Sequence, residues 1–277
     1  MELLHGLSQI MLQQNAITGF LFLAGIFWGS IPMGFAAITA TLVGTLTARW
    51  LGYDKAEIYK GLYGFSPALV GVASLVFFKL TIMTWFVIIM GSAAAAILQH
   101  YFIRWNIPAF TFPFVLVTWI CIYLIKNIIP EMMVVPLEDP LISTDTWHFV
   151  FRGYGQVIFQ NSVVSGIIFF MAVLVNRPFM AIYGLVASLI GVSIAIYYLG
   201  DKQSAVVGLW GFNAVLCAIA FAGKKVSDGV WALVSVFISL VVTWVMMDRG
   251  LVQLTFPFVI SACMVTYIKS EFSNKGL

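Results

Sequence analysis

Charge is what this sequence has least of. Only 9% of its 277 residues are Asp, Glu, Lys or Arg, against 62% hydrophobic. Soluble domains carry roughly a quarter charged residues, so the composition excludes an ordinary soluble domain and indicates an integral membrane protein. No charged side chain lies centrally in any apolar stretch. Pumps and proton-coupled carriers need ionisable groups inside the membrane, so their lack points to passive movement of a neutral solute. Cysteine is equally sparse. Cys121, Cys217 and Cys263 stand singly in apolar segments, with no CxxC or Cys/His spacing. Neither a disulfide framework nor a zinc site is indicated, and no cofactor is expected. His5, His100 and His148 have no catalytic or metal partner at a useful spacing. With no nucleophile–base set visible, an enzyme is not expected. The net charge of +3 is too small to argue for nucleic acid. The N-terminus lacks the basic region of a cleavable signal peptide. Alternation over about ten residues, the mark of a membrane strand, is missing too.

What the chain does have is apolar runs near helix-spanning length. They fall at about 17–31, 33–51, 59–79, 81–103 and 107–129, then at 163–176, 178–199, 203–223, 229–248 and 251–269. Each set is preceded by a short Gln-bearing segment, residues 5–14 and 154–162, too short and polar to span. A polar stretch, residues 130–153, separates the sets and holds Pro130, Pro136, Pro140, Glu131, Glu138, Asp139 and Asp145. The expected division is a first transmembrane repeat over 1–129, a linker over 130–153 and a second repeat over 154–277.

The halves overlay in one register. Gln9/Gln156, Gln13/Gln160, Gly19/Gly166, Gly44/Gly191, Asp54/Asp201, Gly61/Gly208, Phe65/Phe212 and Leu69/Leu216 are all 147 apart (156 − 9 = 147). Thr111-Phe112-Pro113-Phe114 and Thr255-Phe256-Pro257-Phe258 are identical and 144 apart (255 − 111 = 144). We read a duplication. Five crossings per half, an odd number, require the halves to be inverted, an architecture that places a transport site at the repeat interface. The Gln segments are then expected as short re-entrant helices. Proline inside an apolar run frees a carbonyl of the preceding turn, so each Thr-Phe-Pro-Phe stretch is expected as a broken or tightly packed helix beside a pathway, the plainer alternative being a kinked core helix.

Ten crossings put both termini on one side, with Arg49, Lys55, Lys60, Arg104, Arg177, Lys224, Lys225, Lys269 and Lys275. Lys79, Lys126, Arg152, Lys202 and Arg249 fall on the other. The positive-inside rule then predicts cytoplasmic termini and an outside linker. The polar residues left in the apolar segments include Gln9, Gln13, Gln14, Asn15, Gln156, Gln160, Asn161, Asn213, Thr111 and Thr255. Amides and hydroxyls donate and accept without net charge, which suits a small, planar, uncharged solute rich in N–H groups. Taken singly, an intramembrane Gln or Thr also serves as a helix–helix hydrogen bond.

Gln9-Ile-Met-Leu12-Gln13-Gln14-Asn15-Ala-Ile-Thr-Gly19, Gly61-Leu-Tyr-Gly-Phe65, Ile107-Pro108-Ala-Phe-Thr111-Phe-Pro113-Phe114 and Gly208-Leu-Trp-Gly-Phe-Asn213 resemble the signatures of the urea transporter family. The resemblance covers nearly the whole chain. It implies an all-α polytopic protein of two inverted repeats, each with five transmembrane helices and one re-entrant helix. It further implies a homotrimer in the inner membrane, each subunit with its own pore at the repeat interface and passive conduction of urea. In that picture Thr111 and Thr255 hydrogen-bond the solute at the middle. Gln9 and Gln156 start the re-entrant helices and contact it nearer the two ends. Ile10, Leu12 and Leu69, with Val157, Phe159 and Leu216, form apolar walls around the flat molecule. The sequence departs from the family pattern at Leu12, where an aromatic would match Phe159, at Gln156, where some members carry Glu, and at Ser66-Pro67, where Asn213-Ala214 keeps the Asn. The alternative solutes are ammonia, a short amide or water.

Overall fold

A computed structural model describes residues 1–134 and 148–274 of the chain. Most of the proposed linker, with Pro136, Glu138, Asp139, Pro140 and Asp145, lies outside the described residues, as does Lys275. The described residues are helical, and the sole strand-like pairing among them is an isolated bridge between Phe78 and Met133. By internal contacts the chain falls into two units, Met1–Ile142 with Ile158–Gln160, and Ser143–Val157 with Asn161–Leu277.

The first unit contains α1 (Glu2–Gln9), α2 (Ala16–Gly29), α3 (Ile31–Trp50), α4 (Lys55–Tyr59), α5 (Phe65–Phe77), α6 (Ile82–Arg104) and α7 (Phe112–Ile128). The second contains α8 (Phe149–Val157), α9 (Val163–Asn176), α10 (Pro178–Ile194) with a π-helical end at Ala195–Leu199, α11 (Lys202–Val206), α12 (Phe212–Phe221), α13 (Val226–Asp248) and α14 (Phe256–Asn274). Ile31–Trp50, Ile82–Arg104, Pro178–Leu199 and Val226–Asp248 are long and apolar enough to cross a membrane.

Two sequence expectations need correction. The apolar runs at 59–79 and 203–223 are not unbroken spans. In the first, the five-residue α4 ends at Tyr59 and a turn precedes the half-length α5; in the second, the five-residue α11 is followed by a turn and the half-length α12. At 13 and 10 residues, α5 and α12 are about 20 and 15 Å long, short of the ~30 Å hydrocarbon. The break follows from Gly61 and Gly208, whose φ values of +81° and +91° turn the chain left-handed. Their positions face backbone. A Cβ on Gly61 would lie 2.4 Å from His5 C, and one on Gly208 2.7 Å from Arg152 C. No side chain fits there, and the αL geometry ends the helix.

The second correction concerns proline. Pro113 and Pro257 do not kink helices. Each is the second residue of its helix, α7 and α14. There its missing N–H is one the helix would not have used.

Each unit is organised around its half-length helix. In α5 every residue from Phe65 to Ser74 is buried, packed on α3, α6 and α7. In α12 every residue from Phe212 to Ile219 is buried, packed on α8, α10, α13 and α14. A helix apolar all round is a core helix. In the first unit the close packing is made by small residues: Ala36, Ala40 and Gly44 of α3 face α5, which lets backbones approach as apolar surface alone would not.

Candidate functional site

The short helices α1 and α8 end where the chain reverses, and both reversals are built the same way. Helix α1 stops because Leu12 turns left-handed at φ +58°, and α8 is followed by Phe159 at φ +57°. A non-glycine residue there costs about 1–2 kcal/mol, so the surroundings must hold it. In the first unit the Gln13 amide donates to Met11 O at 2.9 Å. Ser8 donates to Gln13 O at 2.6 Å and accepts from Asn15 N at 3.2 Å. Asn15 then caps α2 through Thr18 N at 3.0 Å. At the other turn the Gln160 amide donates to Ile158 O at 3.0 Å. Gln13 and Gln160 are therefore turn-forming amides.

Gln9 and Gln156 hold the short helices against the broken ones. Gln9 Nε2 donates to Lys60 O at 3.0 Å, and Gln156 Nε2 donates to Val207 O at 2.9 Å. These acceptors lie in the turns that interrupt α4–α5 and α11–α12. The expectation that the two glutamines start their helices is corrected here: Gln9 is the last residue of α1, and Gln156 is next to last in α8. The reason is local. The αL residues three positions on, Leu12 and Phe159, terminate both helices, so each glutamine sits at a carbonyl-presenting C-terminus.

The two threonines also occupy matched settings. Phe110 has φ +46° and Leu254 has φ +44°. Thr111 follows as N-cap of α7, and Thr255 stands immediately before α14. Both are buried, at 3% and 1% exposure. Each therefore sits at the positive end of a helix dipole after a strained residue, a placement typical of functional segments.

In the first unit α5, carrying buried Leu69, packs on α1 and on α7. This brings the elements of Gln9, Ile10, Leu12, Leu69 and Thr111 into one bundle. Ile158–Gln160 belongs to the same unit. The Phe159 ring meets Phe114 edge-on, 6.0 Å between centroids, and Gln160 Nε2 reaches Met33 Sδ at 3.3 Å. Phe159 thus stands beside the Thr111-Phe112-Pro113-Phe114 turn. In the second unit α12, with buried Leu216, packs on α8, which carries Gln156 and Val157, and on α14, which Thr255 precedes.

The units differ in how the threonine turn is held. Asn213 donates through Nδ2 to Leu254 O at 3.2 Å and accepts at Oδ1 from Phe258 N at 3.1 Å. The Gln253 side chain lies 3.4 Å from the same Nδ2 and donates to Leu209 O at 3.3 Å. At the position 147 earlier (213 − 147 = 66) stands Ser66, wholly buried, with its hydroxyl lacking any hydrogen-bond partner among the described residues. Sequence reasoning singled out Asn213 as a lining amide, whereas the structure uses it as a clamp. Gln253 was missed; its one signal is a polar side chain two residues before Thr255.

These features define a class first: a multi-pass α-helical membrane protein with paired helix breaks bearing amides and threonines. The sequence pattern described as Urea transporter matches residues 2–270. The chain belongs to the urea transporter family, a family of transporters and not of enzymes. It is 29% identical over 242 residues to Urea transporter 1 of Rattus norvegicus, covering 80% of this chain. The Mus musculus protein of that name is 28% identical over the same length. The chain spans 62% of the length of these two relatives. Urea transporter 1 of Ovis aries is 26% identical over 305 residues, covering 98% of this chain and 77% of that protein.

Proposed function

We propose that this protein conducts urea passively down its gradient. The observation that carries the reading is the threonine turn made twice: an αL residue, then a buried Thr, then a helix with Pro second. Family membership supplies the solute. Urea has a carbonyl acceptor and four N–H donors and is flat. A hydroxyl can accept from its N–H or donate to its oxygen. The proposed path runs at the interface of two inverted repeats, over 1–129 and 154–277, joined by the linker 130–153. Thr111 and Thr255 meet the solute at the centre, and Gln9 and Gln156 meet it nearer the ends. Ile10, Leu12, Leu69, Val157, Phe159 and Leu216 wall the slot. An apolar aromatic slot excludes hydrated ions because it cannot replace their shed water.

The matched bonds Gln9–Lys60 and Gln156–Val207 support the repeat, since donors and acceptors are each 147 apart (156 − 9 and 207 − 60). The excess of Lys and Arg on one set of segment ends supports cytoplasmic termini in the inner membrane. The homotrimer rests on the family. The test is urea flux in proteoliposomes. A rate that needs no ion gradient and ignores pH is expected. Flux no greater than in protein-free vesicles contradicts the proposal. Labelled-urea flux that ammonia or short amides suppress better than urea itself contradicts the choice of solute.

A further inference from the structure

Outside the threonine turns, one surface of the second unit is built differently from its counterpart in the first. In the first unit α3 and α6 close on each other: Trp85 and Leu75 pack over the buried Ala36, Ala40 and Ile88. The helices α6 and α13 are both 23 residues long and offset by 144 (226 − 82 = 144). Trp85 therefore corresponds to Gly229, and Ile88 to Ala232. The loss of an indole and a branched side chain leaves α10 and α13 apart. Between them runs an apolar groove of about 480 Å³, walled by Ile182, Val186 and Ile190 on one side and Val230, Leu233 and Val236 on the other. Its length from Ile182 to Ile190 is about 12 Å of helix. Ile182 and Val230 are 52% and 54% exposed, so the groove opens sideways from two helices long enough to span a bilayer.

One end of the groove meets a second, smaller hollow of about 320 Å³ formed by Arg177, Pro178, Phe179, Met180, Ala222, Gly223 and Lys224. Tyr183 joins the two, lining the groove while its hydroxyl donates to Gly223 O at 3.3 Å. Arg177 and Lys224 are exposed, and neither takes part in an ion pair among the described residues. Lys224 Nζ stands 6.0 Å from the centre of the Phe179 ring. The nearby carboxylate, Asp228, is engaged: its Oδ2 accepts from Lys225 N at 3.1 Å, and Lys269 Nζ lies 3.6 Å from its Oδ1. Among the described residues, Arg177 and Lys224 thus leave the mouth of the groove with positive charge that Asp228 does not pair.

We infer that this groove is a binding site for an anionic phospholipid, with an acyl chain between α10 and α13 and the phosphate on Arg177 and Lys224. In a bilayer the acyl chain gains little by leaving other lipid, since lipid tails are as apolar as the groove walls. Selectivity comes from the charge at the mouth. Basic pockets between transmembrane helices bind anionic head groups, and a Lys or Arg near the bilayer surface gives about a fivefold preference. Two of them give roughly a thirty-fold preference for an anionic over a zwitterionic head group.

The test uses the full chain in phosphatidylcholine nanodiscs containing a minor share of phosphatidylglycerol, with the lipids that survive purification counted by native mass spectrometry. Wild type is expected to retain phosphatidylglycerol and phosphatidylcholine in a ratio roughly thirty times that of the disc. The exposed pair Arg177→Gln/Lys224→Gln is expected to retain them at the bulk ratio. Gly229→Leu, which fills the groove, is expected to lose bound lipid of either kind. No enrichment on wild type, or equal enrichment on the double variant, overturns the inference. So does disulfide cross-linking of two Gly229→Cys chains in the membrane, which would make the groove a contact between copies.

Discussion

The asymmetry between Asn213 and Ser66 gives the sharpest mutational test. Asn213→Ala removes the acceptor of the Phe258 N–H and the donor to Leu254 O from a site 1% exposed. Each buried group left unpaired costs about 1–3 kcal/mol, so two cost about 2–6 kcal/mol. Part is recovered, because Leu254, held at φ +44°, can leave the αL region and regain about 1–2 kcal/mol. The net loss is about 2 kcal/mol, which lowers Tm by roughly 4–8 °C at this chain length. The same relaxation moves Thr255 away from the proposed path. Losing one hydrogen bond to the solute at its barrier, about 1–1.5 kcal/mol, slows urea flux about tenfold.

Ser66→Ala is the internal control. Its hydroxyl has no partner among the described residues, so removing it is neutral or stabilising by up to about 1 kcal/mol, with unchanged flux. Asn213→Ser, which gives the second unit the residue of the first, should reproduce most of the alanine loss. Tm is read in detergent, and flux by light scattering of proteoliposomes under an abrupt urea gradient. Equal flux losses in the Asn213 and Ser66 variants, or none in either, would refute the idea that the Asn213 clamp aims Thr255.

Further outcomes follow from the same geometry. Gly208→Ala places a methyl 2.7 Å from the Arg152 backbone at φ +91°, so the variant should fail to give a monodisperse peak in size-exclusion chromatography. Phe159→Leu removes the edge-on contact with Phe114, worth about 0.5–1.5 kcal/mol; it should widen the slot and raise acetamide flux relative to urea. Gln9→Leu removes the amide that satisfies the Lys60 carbonyl at 3.0 Å; flux should fall several-fold, with a stability loss near 1 kcal/mol seen as a lowered Tm in thermal unfolding.

The class was legible in the sequence because it rests on patterns that composition exposes directly. Scarce charge and long apolar runs mark the membrane, and Gly61 and Gly208 at one spacing turn out to share one left-handed conformation. The glutamine and threonine positions were legible as polar exceptions in apolar runs. The roles of those side chains were less so. Hydropathy cannot distinguish an unbroken span from two half-length pieces, so α5 and α12 were read as parts of crossings. Proline was read as a kink because its position relative to the helix start depends on αL residues, Phe110 and Leu254, that are not glycine and carry no sequence signature. Gln13 and Gln160 look like pathway amides in sequence. In three dimensions their Nε2 groups are committed to Met11 O and Ile158 O, a distinction that depends on backbone geometry.

The central claim is that urea passes between the Thr111 and Thr255 turns. A structure determined in saturating urea tests it most directly. The account predicts a flat density within hydrogen-bonding distance of both threonine hydroxyls, lost in the Thr111→Val/Thr255→Val double variant. Bound urea elsewhere in the chain, with the space between the two hydroxyls closed by protein side chains, would contradict it.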